Sequence, residues 1–180
     1  MSPSPRRRQR FEVTDRFVVF ISSAQQEFET FRKELKQTLD TERWANLLVM
    51  RGRLIENQRG HVVEAEIRRA LDDSSVYVGI FGRRLRDWPV REFRYAKACG
   101  LPQLVYKYER GTRRRPSRGR ISDVDRFLER EVKGNGIRLR GPYSSLERLP
   151  EIIMADLVIL GVEMVRENAD IRKRLCAGMP

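Results

Sequence analysis

The sequence predicts an α/β protein: an open parallel sheet with helices on both faces. Three observations carry that prediction. Short apolar, β-branched runs alternate with stretches of helical periodicity from about residue 17 to residue 140. Strand–helix–strand units with parallel strands produce this alternation. The run Ser75–Phe81 (SVYVGIF) has no polar face, as a strand covered on both sides requires. No apolar run reaches the roughly 18–20 residues of a membrane span; the longest, Ile152–Val162, is broken by Asp156.

Each element follows from its residues. Phe17–Ser22 (FVVFIS) reads as the first buried strand. Ser23 with Gln26 three residues on forms an S-x-x-Q capping box. It opens a helix over Ala24–Asp40 whose Phe28, Phe31, Leu35 and Leu39 share one face. Leu47–Met50 is a second strand, ended by Arg51-Gly52. Val63, Ile67, Ala70 and Leu71 mark a second helix, and Ser75–Phe81 a third strand. A third helix spans about Val90 to Cys99, with Gly100 closing it and Pro102 just beyond. Gln103–Tyr108 is a fourth strand. Ser122 caps a fourth helix that turns Val124, Phe127, Leu128 and Val132 inward, and Ile137–Arg140 reads as a fifth, edge strand.

Five such strands predict a flavodoxin-like order, 2-1-3-4-5. Pro150 suits the first turn of a long final helix reaching about Leu175. Its Ile153, Leu157, Leu160 and Met164 recur on one stripe, which Met154, Val158 and Val165 widen. The predicted organisation is therefore a disordered basic arm (1–15), an α/β domain (16–141) and a C-terminal helix packing on it (142–180). The stripe closes the core on one reading. On another it also docks a partner or a second copy through Leu157, Leu160 and Met164.

The 180 residues carry a net charge of +12, and the excess is local. Residues 1–10 hold four arginines and no acid, and residues 110–120 (RGTRRRPSRGR) hold six and no acid. Arginine forks suit phosphates, so Arg113, Arg114, Arg115 and Arg118, with Arg6–Arg8, are candidate contacts to nucleic acid or another polyanion. Neither stretch interleaves aromatic rings for base stacking, which favours a solvated tail and a mobile loop instead. Cys99 and Cys176 form no CxxC pair, and no apolar segment follows the basic start. Both features predict a reducing, cytoplasmic setting without a membrane. The single histidine, His61, stands apart from any metal-ligand spacing, so no metal site is predicted.

In an open parallel sheet, ligands bind beyond the carboxyl ends of the strands where the strand order reverses. That place collects Ser22 and Ser23 after the first strand, Gly82, Arg83 and Arg84 after the third, then Trp88 and Glu92. The set suits a nucleotide: arginine for phosphate, tryptophan for the base, a carboxylate for ribose hydroxyls or glycosidic chemistry. Each member also has an ordinary role in capping, solvation, packing or the helix dipole. Neither a GxGxxG nor a Walker lysine motif is present.

Several stretches resemble one family. FVVFISSAQQEFETFRKELKQTL is similar to the opening of the Toll/interleukin-receptor-like (TIR-like) family known as domain of unknown function 4062. VEAEIRRALDDSSVYVGIFGRR, REFRYAKACGLPQLVYKY and FLEREVKGNGIRLRGPYSSLERLPEIIMADL resemble its later segments, so the likeness covers about residues 16–160. It implies a TIR-like flavodoxin fold and a prokaryotic signalling or defence module acting by protein–protein assembly. The pattern Glu92-x-x-Tyr95-Ala96…Gly100-x-Pro102 also resembles nucleoside deoxyribosyltransferases. That likeness implies Glu92 as catalytic carboxylate and Tyr95 in the nucleotide-binding set. Arg91 and Arg94 depart from it, and flanking cations are expected to lower the Glu92 pKa. The WPVR run before Glu92 lacks the transferases' small residues.

Three functions stand open at this point. One is a signalling module with a protein partner or self-association. The second is hydrolysis or transfer at the N-glycosidic bond of NAD or another nucleotide, as substrate and not cofactor, using Glu92. The third is polyanion binding through the arginine segments.

Overall fold

The computed structural model describes residues 17–41, 43–44, 48–53, 62–109 and 121–177. The expected N-terminal arm, His61 and the loop bearing Arg113, Arg114, Arg115 and Arg118 lie outside the described residues. The strands are β1 (Phe17–Ser23), β2 (Arg43–Trp44), β3 (Leu48–Arg53), β4 (Val76–Phe81), β5 (Gln103–Tyr108) and β6 (Leu139–Tyr143). The helices are α1 (Gln25–Thr41), α2 (Val62–Asp72), α3 (Asp87–Ala98), α4 (Asp123–Phe127) and α5 (Leu149–Ala177). After α4 the chain continues through one π-helical segment, Leu128–Val132, and a 3₁₀ turn, Lys133–Asn135.

The strands form one sheet in the order β2-β3-β1-β4-β5-β6. β1 pairs in parallel with β3 and β4, β4 with β5, and β5 with β6. The expected five strands become six because Arg43–Trp44 pairs antiparallel with Leu48 and Val49. Two residues are too few to show a period, so the sequence gives no sign of this strand. Gly52 does not end β3 either; it pairs with Val19 inside the ladder.

Alternation along the strands divides the core in two. Val19, Ile21, Val76, Val78 and Ile80 face α1 and α5, packing with Phe28, Leu35, Ile153 and Leu157. Phe20, Tyr77, Phe81 and Val105 face α2, α3 and α4, packing with Leu71, Phe93 and Phe127. All six residues of β4 are buried, which is why its sequence shows no polar face. Phe93 and Phe127 meet edge to face at 5.4 Å, and both touch Phe81. Ser122 caps α4 by accepting the Asp125 amide N–H at 3.1 Å. Gly100 and Gly136 adopt left-handed φ of 71° and 73° where α3 and the 3₁₀ turn end.

The final helix is pinned to the sheet by a polar contact inside the apolar layer. Asp156 is buried on α5. It accepts the Tyr106 hydroxyl from β5 at 2.8 Å and the Arg140 guanidinium from β6 at 2.5 Å. Burial, and then the Asp156 carboxylate, hold the Tyr106 phenol far above its ordinary pKa, so it remains a donor.

Candidate functional site

The carboxyl edge of β1 and β4 is where the strand order reverses, and Glu92 reaches it from α3. The helix begins at Asp87, with Arg86 extended before it, and not at Val90. Pro89 is accommodated in the first turn, where no intrahelical donor is missed. This start places Glu92 in the second turn. The Ser22 hydroxyl, only 1% exposed, donates to Glu92 Oε2 at 2.5 Å. Ser22 is opposite Gly79 in register. A Cβ at Gly79 would lie 2.7 Å from Tyr77 Cε1 and 2.9 Å from its hydroxyl. The missing side chain thus lets the Tyr77 ring lean along β4 until its hydroxyl neighbours Ser22 and Glu92.

Electrostatics follow from that seat. Burial raises the Glu92 pKa, while the Ser22 hydrogen bond and the Arg32 guanidinium on α1 act against the rise. The expected lowering by Arg91 and Arg94 does not occur. Arg91 lies over the Trp88 ring at 5.4 Å, and Arg94 pairs with Glu131 at 3.0 Å. Tyr77 stays protonated, held high by burial first and then by the Glu92 charge.

Outside this pair lies a cleft of 430 Å³ between α2 and α3. Trp88, Arg91, Glu92 and Tyr95 line it from α3, and Glu64, Ile67 and Arg68 from α2. Trp88 and Glu92 are four residues apart on one helical face, so ring and carboxylate share the opening. Arg68 pairs with Glu64 at 2.7 Å and lies 5.5 Å from the Tyr95 ring centre. The Tyr95 hydroxyl donates to Asp72 at 2.9 Å. That bond, followed by desolvation and Cys99, pushes its pKa up to about 12. Tyr95 therefore contributes a ring to the cleft, with its hydroxyl already engaged.

The α1 side of the same edge is arranged differently. Ser23 is not a helix cap: it is the last residue of β1, and α1 starts only at Gln25. Its hydroxyl is buried, at 6% exposure, with no hydrogen-bond partner among the described residues. Glu27, in the first turn of α1, accepts the Arg83 amide N–H at 3.2 Å. A Cβ at Gly82 would lie 2.5 Å or closer to each oxygen of the Glu27 carboxylate. Gly82 is thus the space in which that carboxylate sits. The Arg83 and Arg84 side chains are exposed.

Sequence reasoning missed Glu27, Tyr77 and Arg32. An acid in the first turn of a helix reads as a dipole partner, and a tyrosine in an apolar strand reads as core. Ser22, Trp88, Glu92 and Tyr95 converge on the α3 side; Ser23 and Gly82 belong to the α1 side.

On α5 the residues of the expected docking stripe turn inward. Leu157 is wholly buried, and Leu160 and Met164 pack against the core. Among the described side chains of this helix, the exposed large apolar ones are Ile159, Val162 and Val165. Among the described residues, no cluster of His, Cys, Asp and Glu could hold a metal ion, and no helix is long and apolar enough to cross a membrane. Compared with protein-family models and with curated proteins, the chain matches none.

Proposed function

We propose that this chain cleaves the N-glycosidic bond of NAD or a related nucleotide, by hydrolysis or transfer, with Glu92 as the key carboxylate. One observation carries the reading: the Glu92 carboxylate is recessed against Ser22 at the carboxyl edge of β1, beside Trp88 in an open cleft. An acid serving only the surface would pair with Arg91 or Arg94, and these cations are engaged elsewhere.

In the proposed reaction the bond between the anomeric carbon and the base nitrogen breaks, and its electron pair leaves with the base. A carboxylate below the sugar stabilises the developing oxocarbenium charge or bonds to the anomeric carbon. Water or the hydroxyl of a second acceptor then bonds to the anomeric carbon, frees the carboxylate and gives up its proton to solvent. Ser22 orients Glu92 through its hydrogen bond, and the protonated Tyr77 beside it keeps the pocket from holding a second negative charge. The Trp88 ring, exposed at the cleft mouth, offers a face for the base. A cationic base such as nicotinamidium departs as a neutral molecule without a proton, which suits a site whose acid is needed as a carboxylate.

The test is base release. Purified chain and Glu92→Gln are incubated with NAD and a panel of nucleotides, and free bases are separated by chromatography. Release by the wild type that disappears in Glu92→Gln is expected; no release by the wild type sinks the proposal.

A second reading, a TIR-like assembly module in prokaryotic signalling or defence, is favoured by the exposed Ile159, Val162 and Val165 on α5. Light scattering tests it. Concentration-dependent association abolished by Val165→Glu supports assembly, and a monomer at every concentration refutes it.

A further inference from the structure

The edge between β1 and β4 has two sides, and the α3 side alone accounts for Glu92. Strand alternation turns Ser22 toward α3 and Ser23 toward α1. Register sets Ser23 level with Ile80, two residues before Gly82 on the same face. On that face lie a buried hydroxyl with no partner among the described residues, a carboxylate and a backbone N–H already bound to that carboxylate.

Two features here are otherwise unexplained. The Ser23 hydroxyl is 6% exposed and has no hydrogen-bond partner among the described residues, so within them it forfeits solvation without return. Gly82, whose φ is not in the left-handed region, has no conformational need to be glycine; its missing side chain makes room for Glu27. The Arg83 N–H holds one carboxylate oxygen, Oε1, in place. The first turn of α1 is also set off from the rest of the helix, since Phe28 has non-helical angles of −128° and 21°.

We infer that Ser23 and Glu27, with Gly82 as the clearance, form a subsite for the vicinal diol of a ribose. A carboxylate accepts from two adjacent hydroxyls, and a serine hydroxyl can donate to one of them. The inference rests on the reading of Glu92 and deepens it. The sugar lies across the sheet edge, its anomeric carbon toward Glu92 on the α3 side and its diol toward Glu27 on the α1 side. The substrate class is then a ribonucleotide and not a deoxyribonucleotide, because a site built to bond a hydroxyl discriminates against the analogue that lacks it.

Calorimetric titration of the 180-residue chain tests this. The Glu92→Gln protein, which consumes no ligand, is titrated with adenosine 5′-monophosphate and with its 2′,3′-dideoxy analogue. The diol-bearing ligand is expected to bind about tenfold tighter or more, the worth of a charge-assisted hydrogen bond. Adding Glu27→Gln should abolish the preference. Adding Gly82→Ala should do the same, because its methyl displaces the Glu27 carboxylate while leaving the backbone conformation allowed. Circular dichroism confirms that each variant is folded. Equal binding of the two ligands, binding of neither, or a preference that survives both added substitutions overturns the inference. Base release and diol preference fail separately: cleavage without preference removes the diol subsite alone, and preference without cleavage removes the role of Glu92 alone.

Discussion

Replacing Asp156 with alanine should destabilise the fold by about 2–4 kcal/mol, and the structure supplies the parts of that figure. The substitution leaves the fully buried Tyr106 hydroxyl without its acceptor. An unsatisfied buried hydroxyl costs roughly 1–3 kcal/mol. It also leaves Arg140 without its carboxylate. Breaking a fully buried ion pair costs about 3–5 kcal/mol, but the Arg140 side chain is 31% exposed and regains part of its hydration, so only a fraction of that applies. Urea unfolding followed by far-ultraviolet circular dichroism reads the loss as a lower midpoint at unchanged slope. The double variant Asp156→Leu, Tyr106→Phe removes donor and acceptor together and should recover at least half of the loss. A cost for Asp156→Ala below about 0.5 kcal/mol, the range of an ordinary surface change, would refute the reasoning. So would a double variant no better than the single one.

Glu92→Gln should be more stable than the wild type at neutral pH. The folded-state pKa of Glu92 is raised above its ordinary 4.5, so the wild type loses stability as pH climbs from 4.5 through the folded value; below 4.5 both states are protonated and the gap closes. Paired melts at pH 4 and pH 7.5 read this, and a gap that is larger in acid contradicts the sign. Leu157→Ala should cost about 2–5 kcal/mol and Ile159→Ala less than about 0.5 kcal/mol in urea titrations, because Leu157 is wholly buried and Ile159 is 54% exposed. Gly79→Ala should cost about 1–3 kcal/mol through overpacking against Tyr77; an unchanged midpoint would mean the tyrosine does not lie over that glycine.

The fold was largely legible because its strands are short apolar runs and its helices show clean periodicity. What escaped did so for physical reasons. The antiparallel Arg43–Trp44 strand is shorter than any period, and Gly52 carries ladder bonds that composition cannot display. The start of α3 was misplaced because Pro89 reads as a barrier but is tolerated in a first turn. At the site, Ser22 and Glu92 were legible as residues at a strand-order reversal. The direction of the Glu92 pKa was not. Sequence neighbours suggested lowering, whereas depth within the fold decides it, and Arg91 and Arg94 turn to other partners. Glu27 escaped because its significance lies in the space left by Gly82, 55 residues further on, which no local pattern reveals.

The bond between Ser22 and Glu92 joins residues 70 positions apart. Ser22 leaves the ribosome before its neighbour strand β4 and its acid on α3 are made. The carboxylate acquires its buried seat only after β1 and β4 have zipped together and α3 has docked behind them, so closure of a long chain segment precedes the Ser22–Glu92 bond. Nascent chains, and fragments ending before α3, contain Ser22 yet lack the carboxylate it bonds. The recessed carboxylate is thereby a property of the assembled sheet and its docked helix, and of no shorter piece that carries Ser22 alone.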